Sequence, residues 1–262
     1  MRASNSKSSG EDDQNTAMYL FIRQNVIRQG MRIVWLACLI GAVVQPRSSE
    51  GVDYNYTRFE RNAITLPTII YGGFLVDRDG FVWIGTTGQG VYRSDGYELK
   101  SFFGAAEGLM VGSLAEDSDG LIWIASLSNG IACYDKESGE FTKYEHDPSD
   151  VNSLSSNNIG FTPQTLCVDE SNRLWVGTDG AGLCEYDKST DRWTRHRHDP
   201  DNENSLSDDV VVSIAVGKGA VLWIGTQSSG LNRFDRESGK WTHYVHSPDN
   251  PDSLNEDRKS VV

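Results

Sequence analysis

A segment built around one tryptophan recurs four times, and this internal repeat constrains the fold more than any other feature of the chain. The tryptophans of the four copies are Trp83, Trp123, Trp175 and Trp223, and they lie 40, 52 and 48 residues apart. A glycine follows each tryptophan by seven residues, at Gly90, Gly130, Gly182 and Gly230. A period of this length predicts that each unit is one small supersecondary element that packs against its neighbours.

Each unit has the pattern of four short strands. An apolar strand precedes a turn rich in Asp, Gly, Ser or Asn, residues that tolerate turn dihedrals, and the second strand carries the tryptophan. A third strand then ends in Tyr or Phe, and a turn such as Asp135 to Gly139 leads to the fourth. This pattern predicts an all-β fold, a β-propeller of about four four-stranded blades in an incomplete ring. The expected blades span residues 64–103, 104–155, 156–207 and 208–262.

The residues that precede the repeats have a different composition. Residues 1–30 read as a disordered leader, or as sequence upstream of a true start codon at Met31. Residues 31–50 read as a signal peptide or signal anchor, because the apolar run 33–44 follows three arginines. That run is shorter than the roughly 20 helical residues that span a bilayer.

The chain is acidic, with a net charge of -13. An acidic surface repels phosphate backbones, so no nucleic-acid partner is expected. We find no nucleophile elbow, phosphate-binding loop or zinc motif, and we therefore expect no catalytic residue, no cofactor and no metal site. Asp and Glu are plentiful, so a carboxylate pair for glycosidic chemistry stays open.

Several residues of chemical interest fit the repeat better than a reactive site. His198 recurs as His146 and His246, which indicates a histidine that anchors a loop once per unit rather than a metal ligand. The four repeat tryptophans are expected to pack between neighbouring blades rather than to bind sugars. Cys133 takes a position held by charged residues in the other units and is expected to be exposed, and a disulfide with Cys184 is disfavoured.

The units resemble the two-component regulator propeller repeat. They share its Asp-x-x-Gly-x-x-Trp-x-Gly-Thr core, as in residues 77–86, and its His-Asp-Pro…Ser-Leu-Ser ending, as in residues 146–155. The resemblance covers about residues 54–262. This family forms the extracytoplasmic sensor region of bacterial sensors, most often hybrid histidine kinases and sometimes diguanylate cyclases.

The resemblance implies a role for the chain and for its first strand. Residues 51–63 would supply a leading strand that closes the ring in the last blade, and the chain would be a C-terminally truncated N-terminal part of a larger sensor. The function implied is ligand sensing on the periplasmic or extracellular side, membrane-linked in the full-length protein, with a saccharide as ligand. Downstream domains of the parent sensor are the expected partners, together with a homodimer of the full-length protein.

Two other classes of function stay open on the sequence. One is a secreted propeller enzyme that acts on polysaccharide as a lyase or glycosidase, and the other is a propeller scaffold that binds protein. The chain contains no phosphoacceptor helix, ATP-binding motif or receiver domain, so we expect it to have no kinase activity of its own.

Candidate ligand-binding residues are those where one unit departs from the others at a loop end. Tyr71 aligns with valine or proline in the other units, and the third unit has a longer entry that includes Phe161 and Gln164. Because loops on a rigid scaffold commonly carry binding function, these three residues are the predicted ligand contacts.

Overall fold

The computed structural model describes residues 73–103, 109–160, 162, 164–250 and 253–254, without the side chain of Phe103. The predictions for the leader, the signal segment, the leading strand and Tyr71 lie outside the described residues. In the part that is described, no helix has the length and apolar character needed to cross a membrane.

The described residues form four antiparallel sheets of four strands each, in which the strands pair in chain order. Blade 1 contains β1 (Phe74–Val76), β2 (Val82–Gly85), β3 (Val91–Ser94) and β4 (Leu99–Phe103). Blade 2 contains β5 (Val111–Glu116), β6 (Ile122–Ser126), β7 (Ile131–Tyr134) and β8 (Phe141–Tyr144). Blade 3 contains β9 (Leu166–Val168), β10 (Leu174–Gly177), β11 (Leu183–Asp187) and β12 (Arg192–His196). Blade 4 contains β13 (Val211–Val216), β14 (Val221–Thr226), β15 (Leu231–Asp235) and β16 (Lys240–Tyr244).

The four sheets are the blades of a propeller, and the fold class predicted from the sequence is confirmed. The first strand of each blade contacts the first strand of the next, which places β1, β5, β9 and β13 side by side. The described blades do not close a ring. We call the side with the turns between first and second strands and between third and fourth strands the turn face. The opposite side, with the connections between blades, is the loop face.

The hydrophobic core lies between blades, as the repeat predicts. Trp83, Trp123 and Trp175 are at most 1% exposed, and each belongs to an apolar cluster shared by its own blade and the next. Trp223 is only part-buried, since no following blade covers it in the described residues. Packing between blades is therefore confirmed for the first three tryptophans, and burial of a large ring against a neighbouring sheet is the main stabilising contact of each interface.

The repeat glycines are required by close backbone approach as well as by backbone conformation. Gly130 and Gly182 have φ values of 67° and 81°, in the left-handed region. A Cβ on Gly182 would lie 2.3 Å from the carbonyl oxygen of His196, and one on Gly130 would lie 2.4 Å from that of Tyr144. Any side chain at these positions would separate the third strand from the fourth.

The interblade loops are anchored by their histidines. The Nδ1 atom of His146 lies 2.7 Å from the carbonyl oxygen of Leu154, and His198 makes the same contact with Leu206 at 2.9 Å. A single recurring side chain thus fixes each loop onto its own Ser-Leu segment, and the predicted loop-anchoring role is confirmed.

The prediction that Cys133 is exposed is wrong. Cys133 pairs with Trp123 across β6 and β7, and blade 3 covers the face that both residues share, so the cysteine is 6% exposed. Burial raises the pKa of its thiol to about 12, which leaves it protonated and unreactive at neutral pH. Cys133 and Cys184 are both free.

One buried hydroxyl breaks the pattern of the turns between the second and third strands of the blades. Thr86, Thr178 and Thr226 each donate a side-chain hydrogen bond to the carbonyl oxygen of the repeat glycine four residues later. Blade 2 has Ser126 at this position, and its buried Oγ has no hydrogen-bond partner. An unpaired buried hydroxyl loses its bonds to water without compensation.

We expect Ser126→Thr to raise the free energy of unfolding by about 0.5–1.5 kcal/mol, because threonine in the other blades makes the missing hydrogen bond. Urea denaturation of the wild type and the variant measures this difference. Thr178→Ser is the matched control and should lose stability by a similar amount. A Ser126→Thr variant less stable than the wild type would refute this explanation.

Candidate functional site

The turn between the first and second strands of each of the first three blades is organised by one aspartate. In blade 2, Oδ1 of Asp117 accepts hydrogen bonds from the backbone N–H groups of Asp119 and Leu121, at 2.9 and 3.1 Å. Its Oδ2 accepts the indole N–H of Trp123 at 2.9 Å and lies 2.7 Å from Nζ of Lys188, which belongs to blade 3. The aspartate therefore caps a turn, holds the core tryptophan and binds the next blade.

We call this arrangement the interblade latch: a turn aspartate, the indole it holds and a cation from the following blade. It recurs as Asp77, Trp83 and Lys136, and as Asp169, Trp175 and Arg236. Blade 4 has Gly217 in place of the aspartate. The prediction that these aspartates form hairpin turns is confirmed, but the sequence analysis missed their cations. The available signal was a Lys or Arg directly after the Asp at the end of the third strand in blades 2, 3 and 4.

Side chains fill the turn face between the first three blades. Arg78 of blade 1 forms an ion pair with Glu116 at 3.0 Å and donates to backbone carbonyls of the blade 2 turn. Between blades 2 and 3, Asn172 accepts from the backbone N–H of Ser118 at 2.8 Å and donates to Asp119 at 2.9 Å. These bridges close the groove between adjacent turns.

The groove between blades 3 and 4 is open and forms a cavity of about 450 Å³, which we call the blade 3–4 cavity. The blade 4 turn contributes Gly219 and Ala220, and a Cβ on Gly219 would meet no atom within 4 Å. The remaining lining residues carry charges of both signs and one aromatic ring: Glu170, Ser171, Arg173, Glu185, Phe234, Arg236 and Glu237. The cavity lies where Glu170 stands in the position of Arg78 and Ala220 in that of Asn172, so neither of the bridging side chains is present.

One residue at this interface departs from the repeat, since His196 stands where blades 2 and 4 have Tyr144 and Tyr244. It lies beside Glu185, which takes the position of Cys133 in blade 2. Nε2 of His196 lies 3.5 Å from Oε2 of Glu185 and is buried without a hydrogen bond, while Arg173 forms an ion pair with the other carboxylate oxygen. The imidazole stacks on Trp175, with ring centroids 5.7 Å apart.

The electrostatics of Glu185 favour its charged form. Burial alone would raise the pKa of this carboxyl, but the nearby His196 side chain and the hydrogen bond and charge of Arg173 outweigh burial and lower it. A carboxylate that is 12% exposed is therefore held ionised in the wall of the blade 3–4 cavity.

Glu185→Gln is expected to lower the free energy of unfolding at neutral pH by about 1–2 kcal/mol, because it removes charge-assisted hydrogen bonds. Since the folded-state pKa lies below the ordinary value of 4.5, this contribution is present above that pH and is lost as the pH falls through the folded-state value. Urea unfolding of wild type and variant at pH 7 and at about pH 3 measures the difference. A stability gap that does not narrow at low pH would contradict this assignment.

The structure does not bring the predicted ligand contacts to this cavity. Phe161 and Tyr71 lie outside the described residues. Gln164 is described: it is part-buried, precedes β9 at the loop face, and its backbone carbonyl accepts from the N–H of Ile214 at 2.7 Å. The blade 3–4 cavity opens on the turn face, opposite to Gln164. The predicted ligand contacts rested on departures from the repeat at loop ends, and residues of the turns were not among them.

The two component regulator propeller family is the family whose sequence pattern matches the chain, at residues 66–88 and 153–180. The resemblance stated from the sequence is confirmed. A comparison with curated protein sequences finds no match.

Solved structures with the same fold include the extracellular domain of a two component system and two lyases. The extracellular domain of a hybrid two component system from Bacteroides thetaiotaomicron is 22% identical with a TM-score of 0.58, over 68% of this chain and 25% of that one. Virginiamycin B lyase from Staphylococcus aureus is 19% identical with a TM-score of 0.50, over 67% of this chain and 55% of the enzyme. A streptogramin B lyase is 19% identical with a TM-score of 0.53, over 72% and 59%.

The fold and the repeat together define the class of protein: a β-propeller with interblade cores built on one tryptophan per unit. Residues 66–88 and 153–180 of these units match the two component regulator propeller model. The chain spans about a quarter of the length of the B. thetaiotaomicron domain and somewhat more than half of the lyases it resembles.

Proposed function

We propose that this chain is the extracytoplasmic ligand-sensing propeller of a two-component signalling protein, without catalytic activity of its own. The match to the two component regulator propeller family is the observation that carries this proposal, and the similarity to the extracellular domain of a hybrid two component system supports it. The ligand in this proposal is a saccharide, and its contacts are the residues predicted from the sequence, Tyr71, Phe161 and Gln164. The parent protein is a sensor histidine kinase, with a diguanylate cyclase as the alternative output.

The geometry of the interfaces gives such a module a means of response. Blades 1, 2 and 3 are each joined to the next blade by an apolar cluster and by an interblade latch. A ligand that contacts two adjacent blades changes the free energy of their interface, and a domain packed against the propeller can respond only to that difference.

Calorimetric titration of the purified chain with a panel of mono- and disaccharides tests ligand sensing. The proposal predicts saturable binding of at least one sugar, weakened at least tenfold by Gln164→Ala and unchanged by Lys218→Ala, an exposed control on the turn of blade 4. Failure of every sugar to bind would refute the saccharide proposal.

A fusion of alkaline phosphatase to the C-terminus tests location, because this enzyme is active only outside the cytoplasm. An inactive fusion would refute an extracytoplasmic site.

The likeness to virginiamycin B lyase favours a second candidate, a propeller lyase. That likeness is 19% in identity and shows the fold alone. Incubation of the chain with quinupristin, followed by chromatography, decides between the two. Consumption of quinupristin would establish the lyase and overturn the sensor proposal, and unchanged quinupristin would remove this alternative.

A further inference from the structure

We propose that the blade 3–4 cavity binds a small zwitterion, an α-amino acid, with its carboxylate on Arg173 and its ammonium on Glu170 and Glu237. The inference concerns binding at the turn face. It is separate from the saccharide proposed for the loop face and holds whichever output the parent protein has.

The cavity is a specific departure from the repeat. The equivalent grooves between blades 1 and 2 and between blades 2 and 3 are bridged by Arg78 and Asn172. In the third groove, Gly219 and Ala220 provide no bridging side chain. The open volume of about 450 Å³ lies within the range of small-molecule sites, which is about 300–1,000 Å³.

Arg236 and Phe234 form the floor of the cavity, and the arginine already has hydrogen-bond partners within the protein. Arg236 donates from Nε to the carbonyl of Ala220 and from Nη2 to that of Gly219, both at 3.1 Å, and forms an ion pair with Asp169. Three of the five N–H donors of its guanidinium are therefore used in holding blade 4 to blade 3. Phe234 is 6% exposed and supplies an apolar surface beside it.

The rim of the cavity carries the groups that are free to bind. Glu170 projects from the blade 3 turn and Glu237 from blade 4, and neither has a charged partner among the described residues. Two carboxylates on opposite sides of one cavity favour a ligand with an ammonium group.

Arg173 supplies the complementary charge. Its Nη1 binds Glu185, while its Nη2 lies 3.8 Å from Asp187, beyond hydrogen-bond distance. A guanidinium has five N–H donors, so this side chain, which is 45% exposed, has donors left for a carboxylate. A ligand with both an ammonium and a carboxylate matches the rim, and its side chain would lie over Phe234.

Calorimetric titration of the full chain with free alanine, leucine, phenylalanine, glutamine and lysine tests this site. At least one should bind saturably. Its amide, which lacks the carboxylate, and its N-acetyl derivative, which lacks the ammonium, should each bind at least tenfold more weakly. Absence of saturable binding by all five, or equal binding of the amide and the free amino acid, would overturn the proposal.

Variants locate the binding. Arg173→Ala and Glu237→Gln should each weaken binding at least tenfold. Arg192→Ala, an exposed arginine of the same blade outside the cavity, and Gln164→Ala at the loop face should leave it unchanged. Circular dichroism confirms that each variant is folded. Loss of binding in Gln164→Ala with retention in Arg173→Ala would overturn the site.

The two binding proposals can fail separately. Amino-acid binding without sugar binding would refute only the saccharide proposal, and sugar binding without amino-acid binding would refute only the proposal for the blade 3–4 cavity.

Discussion

Replacement of Trp123 by alanine should lower the free energy of unfolding by about 3–5 kcal/mol, the cost of removing a large ring from a closed core. Trp123 is 1% exposed and lies in the cluster shared by blades 2 and 3, where its ring contacts Tyr144 and Tyr186 at centroid distances of 5.6 Å. Urea denaturation followed by fluorescence of the remaining tryptophans measures the loss. The substitution should leave sugar binding at the loop face unchanged in protein that remains folded.

Trp223→Ala is the matched control, since the two residues occupy the same position of the repeat. Trp223 is part-buried and the aspartate that would hold its indole is replaced by Gly217. Its loss should cost about 1–2 kcal/mol, in proportion to the smaller apolar area removed from water. Equal losses for the two variants would show that burial between blades is not what the tryptophan contributes.

Asp117→Ala should also lower the free energy of unfolding by about 3–5 kcal/mol, because it leaves buried N–H donors without their acceptor and removes the buried member of an ion pair. The carboxylate is 1% exposed and serves two turn N–H groups, the indole of Trp123 and the ammonium of Lys188. Chemical denaturation at neutral pH gives the difference. The blade 2–3 interface should open first, which hydrogen exchange would detect in β6 and β11.

Asp119→Ala separates the interblade latch from surface charge. Asp119 contacts the same ammonium at 2.5 Å but is 60% exposed, so its ion pair is screened by water. We expect a small loss of stability, well below that of Asp117→Ala. If Asp119→Ala were as damaging as Asp117→Ala, the charge of Lys188 rather than the buried aspartate would organise the interface.

The order of strands could be predicted from the sequence because the signals for it lie close together within each unit. The spacing from Trp175 to Gly182 defines one hairpin, and the contact from His198 to Leu206 spans eight residues. Such signals depend only on residues close together in the chain. Because the same spacings recur from unit to unit, the interpretation of one unit supports that of the others. The roles of the tryptophans, the turns and the loop histidines followed from this.

Features that join two blades could not be predicted in the same way. Lys188 and Asp117 are 71 residues apart, and their pairing depends on how one sheet is placed against the next. Cys133 was expected at the surface because charged residues replace it in other units, yet blade 3 covers it. The blade 3–4 cavity exists because Glu170 and Ala220 stand where the other grooves have the bridging side chains of Arg78 and Asn172, and only the packing of the blades shows that these positions face one groove.

Our central proposal is that this propeller binds a small molecule and does not transform it. Calorimetric titration with the sugar and amino-acid panels, followed by mass spectrometry of the recovered ligand, tests this claim directly. We expect saturable binding of at least one compound, recovered unchanged after prolonged incubation. Chemical conversion of a bound compound, or the failure of every compound in both panels to bind, would contradict it.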